Sequence, residues 1–209
     1  MVRFNLYPVL RPLVTLLFKL LYRPKIINKE LIPKTGAIIL AGNHKHAFDP
    51  LFIGVCTKRT IHFLAKKELY KGINFLFFNL VGTLPVDKKN KNAKTIGAAE
   101  QTLNNGGAIG IFPEGTRNRT DEVLLPFKKG AVRFAMDTNS LIVPFCITGE
   151  YKLFKKGLTI TIGKPYKIKE NDVDKENDKL RRKILNLING AVKWNTCLLL
   201  IRFPEEEKP

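Results

Sequence analysis

Five short stretches of nearly continuous apolar residues punctuate the chain: "GAIILAG" (36–42), "TIHFLAK" (60–66), "GAIGIF" (107–112), "SLIVPFCI" (140–147) and "LTITIG" (158–163). Their length and their β-branched content predict strands, and the lack of a polar alternation predicts that both faces of most of them are covered. Between them, "DPLFIGVCTK", "NAKTIGAAEQTLNN" and "KKGAVRFAMDTN" carry helical patterns, and Gly106 and Gly107 form a C-terminal stop for the second. A last helix, "DKENDKLRRKILNLINGAVKW", aligns Leu180, Ile184, Leu187 and Ile188 on one side. This alternation predicts the α/β class: a single domain with a mainly parallel central sheet flanked by helices.

Ahead of the first strand lies "MVRFNLYPVLRPLVTLLFKLLYRPK", the most apolar long segment. Arg3, Arg11 and Lys19 interrupt it, and Pro8 and Pro12 break its first half. A bilayer span needs roughly 20 mostly apolar residues, so this segment does not read as a clean one, and it lacks the small-residue cleavage site of a signal peptide. Leu13, Leu16, Leu17, Leu20 and Leu21 recur at helical spacing beside Lys19 and Arg23. That pattern fits an amphipathic helix lying in a membrane interface and equally a helix packed on the domain. The expected organisation is an N-terminal helical segment over 1–30, a domain over 31–203 and an acidic tail over 204–209. No repeat or low-complexity segment appears.

Composition narrows the picture further. A chain of 209 residues with 44% hydrophobic content supports one good core rather than two domains. Thirty-six Lys and Arg against 18 Asp and Glu give a net charge of +18 spread along the chain, a field that attracts anionic lipid, phosphorylated ligands or nucleic acid. Cys56, Cys146 and Cys197 are widely spaced among apolar residues. They predict neither a disulfide framework nor a zinc motif, and read as small core residues in a reducing compartment.

Candidate chemistry sits in two loops that leave buried strands. "NHKHAFDP" (43–50) follows the first strand and opens a helix, the location where open α/β folds build their sites. Asp49-Pro50 suits a helix start, with Asp as N-cap, and a capping carboxylate keeps an oxygen for an imidazole N–H. His44 or His46 could thus be oriented by Asp49. A metal site would need more ligands than these, and the remaining histidine, His62, lies inside "TIHFLAK" as a strand residue. The second loop, "IFPEGTRNR" (111–119), gathers Glu114, Gly115, Thr116 and Arg117. The guanidinium fork of Arg117, with Arg119 beside it, matches two phosphate oxygens, and Gly115 allows backbone N–H groups to approach the same ligand.

In these two stretches the chain resembles the glycerolipid acyltransferase superfamily, specifically the 1-acylglycerol-3-phosphate (lysophosphatidate) acyltransferases: "NHKHAFD" is similar to H-x-x-x-x-D and "FPEGTR" to F-P-E-G-T-R. "FLAKKELY" (63–70), "VGTLPVDKK" (81–89) and "LIVPFCITG" (141–149) resemble the family's other blocks in the same order, so the likeness runs from about residue 36 to residue 165. The resemblance implies that His44 is a general base and Asp49 its partner, that Glu114, Gly115, Thr116 and Arg117 bind the glycerol phosphate, and that Gly82 and Lys88 serve acceptor binding. It also implies that Pro144 lies near the acyl-donor side. His44 is preferred over His46 because it alone has the family spacing to Asp49. Lys45 and His46 depart from the frequent Gln-Ser, and Lys88 stands where arginine is frequent, keeping the charge without the fork.

The implied reaction moves an acyl chain from acyl-CoA or acyl carrier protein to the sn-2 hydroxyl of 1-acylglycerol 3-phosphate, giving phosphatidic acid, with no metal, no other cofactor and no acyl-enzyme. The implied partners are lysophosphatidic acid, the thioester and a phospholipid surface, with the protein membrane-associated on the cytoplasmic face. With a bilayer-borne acceptor, the interfacial reading of the N-terminal segment gains weight, and "GINFLFFNLVGTLP" (72–85) offers a second lipid-facing or groove-lining stretch. An acyltransferase for glycerol 3-phosphate or another lysophospholipid is the alternative. A non-catalytic basic binder of membrane or nucleic acid is a third, though no nucleic-acid signature is present.

Overall fold

The computed structural model describes residues 7–66, 83–86 and 93–201. The elements run α1 (Tyr7–Tyr22), β1 (Lys25–Ile27), a 3-10 turn (Lys29–Leu31), β2 (Ile38–Gly42), α2 (Asp49–Cys56), β3 (Ile61–Lys66) and β4 (Leu84–Val86). They continue with α3 (Ala93–Asn104), β5 (Ala108–Ile111), α4 (Gly130–Asp137), β6 (Leu141–Thr148), β7 (Thr159–Ile162) and α5 (Val173–Ile201). Among the described residues the strands form one seven-stranded sheet in the order β1-β7-β6-β2-β5-β3-β4. β6 and β7 pair antiparallel and every other neighbouring pair is parallel.

All five predicted strands and all four predicted helices are present, and burial explains their uninterrupted hydrophobicity. On β2, Ile38 and Leu40 face a core shared with Phe18 of α1 and Phe52 and Ile53 of α2. Ile39 and Ala41 face the opposite core, which holds Leu103 of α3, Ala131, Val132 and Ala135 of α4, and Leu180 and Ile184 of α5. With a helix layer on each side, no strand position of β2 is left for a polar residue. The end of α3 is closed as expected: Gly106, at φ +72°, donates its N–H to Leu103 O and Gly107 donates to Thr102 O, the paired bonds of a left-handed C-cap.

Three features differ from the sequence reading. β1 and β4 are three-residue strands too short to leave a periodic trace. α5 runs on to Ile201, 29 residues in all. The described part of the N-terminal segment, 7–30, is not separate from the sheet, because Lys25–Ile27 pairs with Thr159–Thr161 and Phe18, 5% exposed, sits inside the core. α1 therefore has one face on the protein, where Phe18 meets Phe52 at 5.2 Å, and another on which Leu13, Leu16, Leu17 and Leu20 stand 46–65% exposed. Among the described residues no helix is long and apolar enough to cross a membrane.

Candidate active site

β6, β2 and β5 are adjacent and mutually parallel through β2, so the loops that follow them leave the sheet at one edge. The β2 loop brings His44 and Asp49, the β5 loop brings Glu114 to Arg117, and the β6 loop brings Tyr151. Asn43 starts the first turn. Its side-chain amide donates to Ile147 O at 2.8 Å and accepts from Ile147 N–H at 2.8 Å. The last backbone pair of β2 and β6 is Gly42 with Phe145, so the Asn43 side chain extends the ladder by one step while its own backbone turns away.

That turn delivers His44 to Asp49. His44 Nδ1 lies 2.8 Å from Asp49 Oδ2, and the same oxygen accepts the backbone N–H groups of Lys45 and His46, each at 2.8 Å. Asp49 Oδ1 accepts the Tyr151 hydroxyl at 2.6 Å. The carboxylate is wholly buried, yet both oxygens have donors, which is what allows a charge to sit there. Asp49 is the first residue of α2 rather than its N-cap; Phe48 holds that place, and the Asp49 side chain makes its bonds backwards into the loop. Because a carboxylate only accepts, the neutral ring in this contact carries its proton on Nδ1 and its lone pair on Nε2. The imidazole stacks on Phe112 at 4.0 Å, which fixes its plane.

The β5 loop is tied to the β2 loop by Glu114. Its Oε1 accepts His44 N–H at 2.8 Å and its Oε2 accepts Leu125 N–H at 2.9 Å, while Asn118 N–H donates to His44 O at 2.7 Å. Glu114 is 4% exposed. It faces the protein and braces both loops. Gly115 turns at φ +67°, and its N–H is engaged by Phe112 O at 2.9 Å, so it shapes the loop without offering that N–H to a ligand. Thr116, Arg117 and Arg119 are exposed beyond this turn. A Cβ on Gly115 would lie 2.8 Å from Lys128 Cε, so the exposed Lys128 side chain runs directly against the loop and adds a cation there.

Pro144 is buried within β6, opposite Ala41 of β2, and its carbonyl accepts Gly163 N–H. It is a sheet residue and not part of the loop edge. Gly82 and Lys88 lie outside the described residues, as does most of the 72–85 stretch. His46 does not share the Nδ1–carboxylate geometry of His44; its ring stacks on Tyr151 at 4.3 Å and its Nδ1 accepts Phe48 N–H at 3.2 Å. His62 is a half-buried residue of β3. Among the described residues no three His, Cys, Asp or Glu side chains gather where they could hold a metal ion. Burial raises the thiols of Cys56, to about 12, and Cys146, to about 11.

Tyr151 is the residue that sequence reasoning missed. It stands 102 positions from Asp49, just past the "LIVPFCITG" block, and no local spacing connects the two.

The acyltransferase family model matches residues 23–148, more than half of the chain. The 1-acyl-sn-glycerol-3-phosphate acyltransferase of Bacillus subtilis (strain 168) is 35% identical over 148 residues, covering 68% of this chain and 72% of that protein. The chain belongs to the 1-acyl-sn-glycerol-3-phosphate acyltransferase family. A second relative of that name, from Borreliella burgdorferi, is 32% identical over 142 residues, which are 66% of this chain and 56% of the relative. The crystal structure of the 1-acyl-sn-glycerophosphate (LPA) acyltransferase PlsC from Thermotoga maritima superposes on the chain with a TM-score of 0.74 at 20% identity, over 92% of this chain and 81% of that one. At that identity the superposition speaks for the fold: an α/β domain with a mainly parallel sheet between helices.

Proposed function

We propose that the protein transfers an acyl chain from acyl-CoA or acyl carrier protein to the sn-2 hydroxyl of 1-acylglycerol 3-phosphate, using His44 as general base and Asp49 as its partner. One observation carries the proposal: the 2.8 Å contact between His44 Nδ1 and a fully buried, fully donor-satisfied Asp49 carboxylate. His44 Nε2 takes the proton of the acceptor hydroxyl as that oxygen attacks the thioester carbonyl. Asp49 supports the imidazolium so formed, and the proton passes to the departing thiolate. The step needs no serine or cysteine nucleophile and no resident cofactor.

In this reading Arg117 holds the acceptor phosphate, with Arg119, Thr116 and Lys128 around it and Glu114 and Gly115 setting the loop. The acceptor is a lipid, so the protein works at a bilayer surface. The exposed leucines of α1 suit that surface, and so do the exposed Leu153 and Phe154 with Lys152, Lys155 and Lys156 beside them.

The test is an assay of the purified protein with both donors against 1-acylglycerol 3-phosphate, glycerol 3-phosphate and a lysophospholipid with a larger headgroup. 1-Acylglycerol 3-phosphate is expected to have the highest kcat/KM. His44→Ala should lower kcat by about 10²- to 10⁴-fold, the usual worth of a general base, while His46→Ala should cost much less. An active His44→Ala protein would defeat the base assignment, and a preference for another acceptor would defeat the substrate assignment.

A further inference from the structure

We infer that Tyr151 is a positioning residue that holds the Asp49 carboxylate through its hydroxyl and thereby sets the basicity of His44. The inference rests on the His-Asp reading above and extends it to a third side chain, supplied by the β6 loop.

The carboxylate divides its bonds unequally. Oδ2 carries the imidazole and two backbone N–H groups, all at 2.8 Å, whereas the bond on Oδ1 comes from Tyr151 at 2.6 Å. A carboxylate held on one oxygen alone has more freedom to rock about its Cβ–Cγ bond. Held on both, it keeps Oδ2 facing Nδ1. The phenol is itself fixed by rings on several sides: His46 stacks on it at 4.3 Å, and Tyr22, Phe18 and Phe52 meet it edge-on at 5.6, 6.3 and 6.4 Å. Burial and then the Asp49 charge push the Tyr151 hydroxyl far above the ordinary phenol range, so it remains a donor at every working pH.

Donation to Oδ1 also draws charge from the oxygen that faces His44. The imidazolium is then stabilised less than a bare buried carboxylate would stabilise it. A residue that merely filled space here would contribute packing and no pH effect.

Tyr151→Phe keeps the ring and its stacking and removes only the donor. Expected are a roughly threefold to tenfold fall in kcat with acceptor KM little changed, and an upward move of the acid limb of kcat/KM by about half a pH unit. The same upward move should appear in the His44 imidazole titration followed by NMR. 3-Fluorotyrosine at position 151, a stronger donor that preserves the bond, should move the limb the other way, and it supplies the test if the Phe variant does not fold. An unmoved limb and wild-type kcat in Tyr151→Phe, or no shift with the fluorinated residue, would overturn the inference. His44→Ala in the same assay separates the two claims: if it stays active, the His-Asp reading falls first; if it is dead while Tyr151→Phe is unaffected, only the role of Tyr151 falls.

Discussion

Side chains around the β2 and β5 loops divide into those facing inward, which hold geometry, and those facing outward. Glu114 belongs to the first group and Arg117 to the second, although they stand three positions apart, because Gly115 reverses the chain between them at φ +67°. Any side chain at 115 must adopt that left-handed conformation, which costs on the order of 1 kcal/mol, and must also displace the Lys128 methylenes 2.8 Å away. Gly115→Ala should therefore leave the fold intact, lowering the melting temperature by a few degrees, yet raise KM for the phosphorylated acceptor well above wild type as Arg117 and Lys128 move apart. Equal loss of thioester and acceptor affinity would point to general damage instead. Arg117→Lys is a gentler probe of the same surface: the charge stays, the fork goes, and the loss is expected in acceptor KM alone. The thiols provide a contrast. Cys56 and Cys146, raised to about 12 and about 11 by burial, have almost no thiolate at pH 8. Peptide mapping after maleimide treatment should find both unmodified in native protein and both modified after denaturation.

Among the secondary-structure elements, the reach of the sequence followed physical periodicity. β2, β5 and β6 were legible because a strand covered on both faces needs an apolar run, and α5 was legible because Leu180 and Ile184 must share a face. β1 and β4 were not, since three residues at a sheet edge require no pattern. The two candidate-site loops were legible in their places after β2 and β5, but not in the direction of each side chain. Nothing local distinguishes a glutamate that braces two loops from one that faces a ligand, and nothing local joins Tyr151 to Asp49. Asn43 shows the same limit, since its partner is the backbone of a strand 104 residues on. Its amide closes the β2–β6 ladder where the site begins, so Asn43→Ala would leave the N–H and C=O of Ile147 without those partners. Two such losses cost about 1–3 kcal/mol each. Denaturant unfolding should show a destabilisation of that order, together with a kcat loss, because the turn that sets His44 starts there. Stability unchanged within about 0.5 kcal/mol would show that the ladder extension is not what fixes the turn.

For the whole molecule, the central question is how a folded domain with a half-buried His44 on a buried Asp49 meets a lipid acceptor. α1 was expected to lie in a membrane interface, with packing on the domain as the rival reading, and its two faces have different surroundings: Phe18 in the core, and four leucines in solvent at 46–65% exposure. Removing residues 1–25 would strip Phe18 and Tyr22 from the core and shorten β1, so surface substitution is the better probe. Full burial of a leucine is worth about 1.5–3 kcal/mol, and each half-exposed leucine on α1 therefore offers roughly 1 kcal/mol to a lipid surface. Lysines and arginines near the surface add about 1 kcal/mol each with anionic lipid at low salt, and Lys19, Arg23, Lys152, Lys155 and Lys156 flank the two apolar patches. Neither contribution is large alone. Replacing Leu16 and Leu20 by Ser should leave the melting temperature unchanged, since both side chains are more than half exposed, but should lower binding to phosphatidylglycerol vesicles by about tenfold to a hundredfold. For the unaltered protein, raising salt from about 0.1 to 1 M shortens the screening length from about 10 to 3 Å, so vesicle binding should weaken and level off as the apolar part persists. Activity on vesicle-borne acceptor should fall in parallel in the double variant, while activity on a short-chain, water-soluble acceptor should stay at the wild-type value because the His44–Asp49 geometry is untouched. If the double variant bound vesicles as well as wild type, the α1 face would not be the docking surface. Equal loss on soluble and vesicle-borne acceptors would place its effect in the domain and not at the membrane.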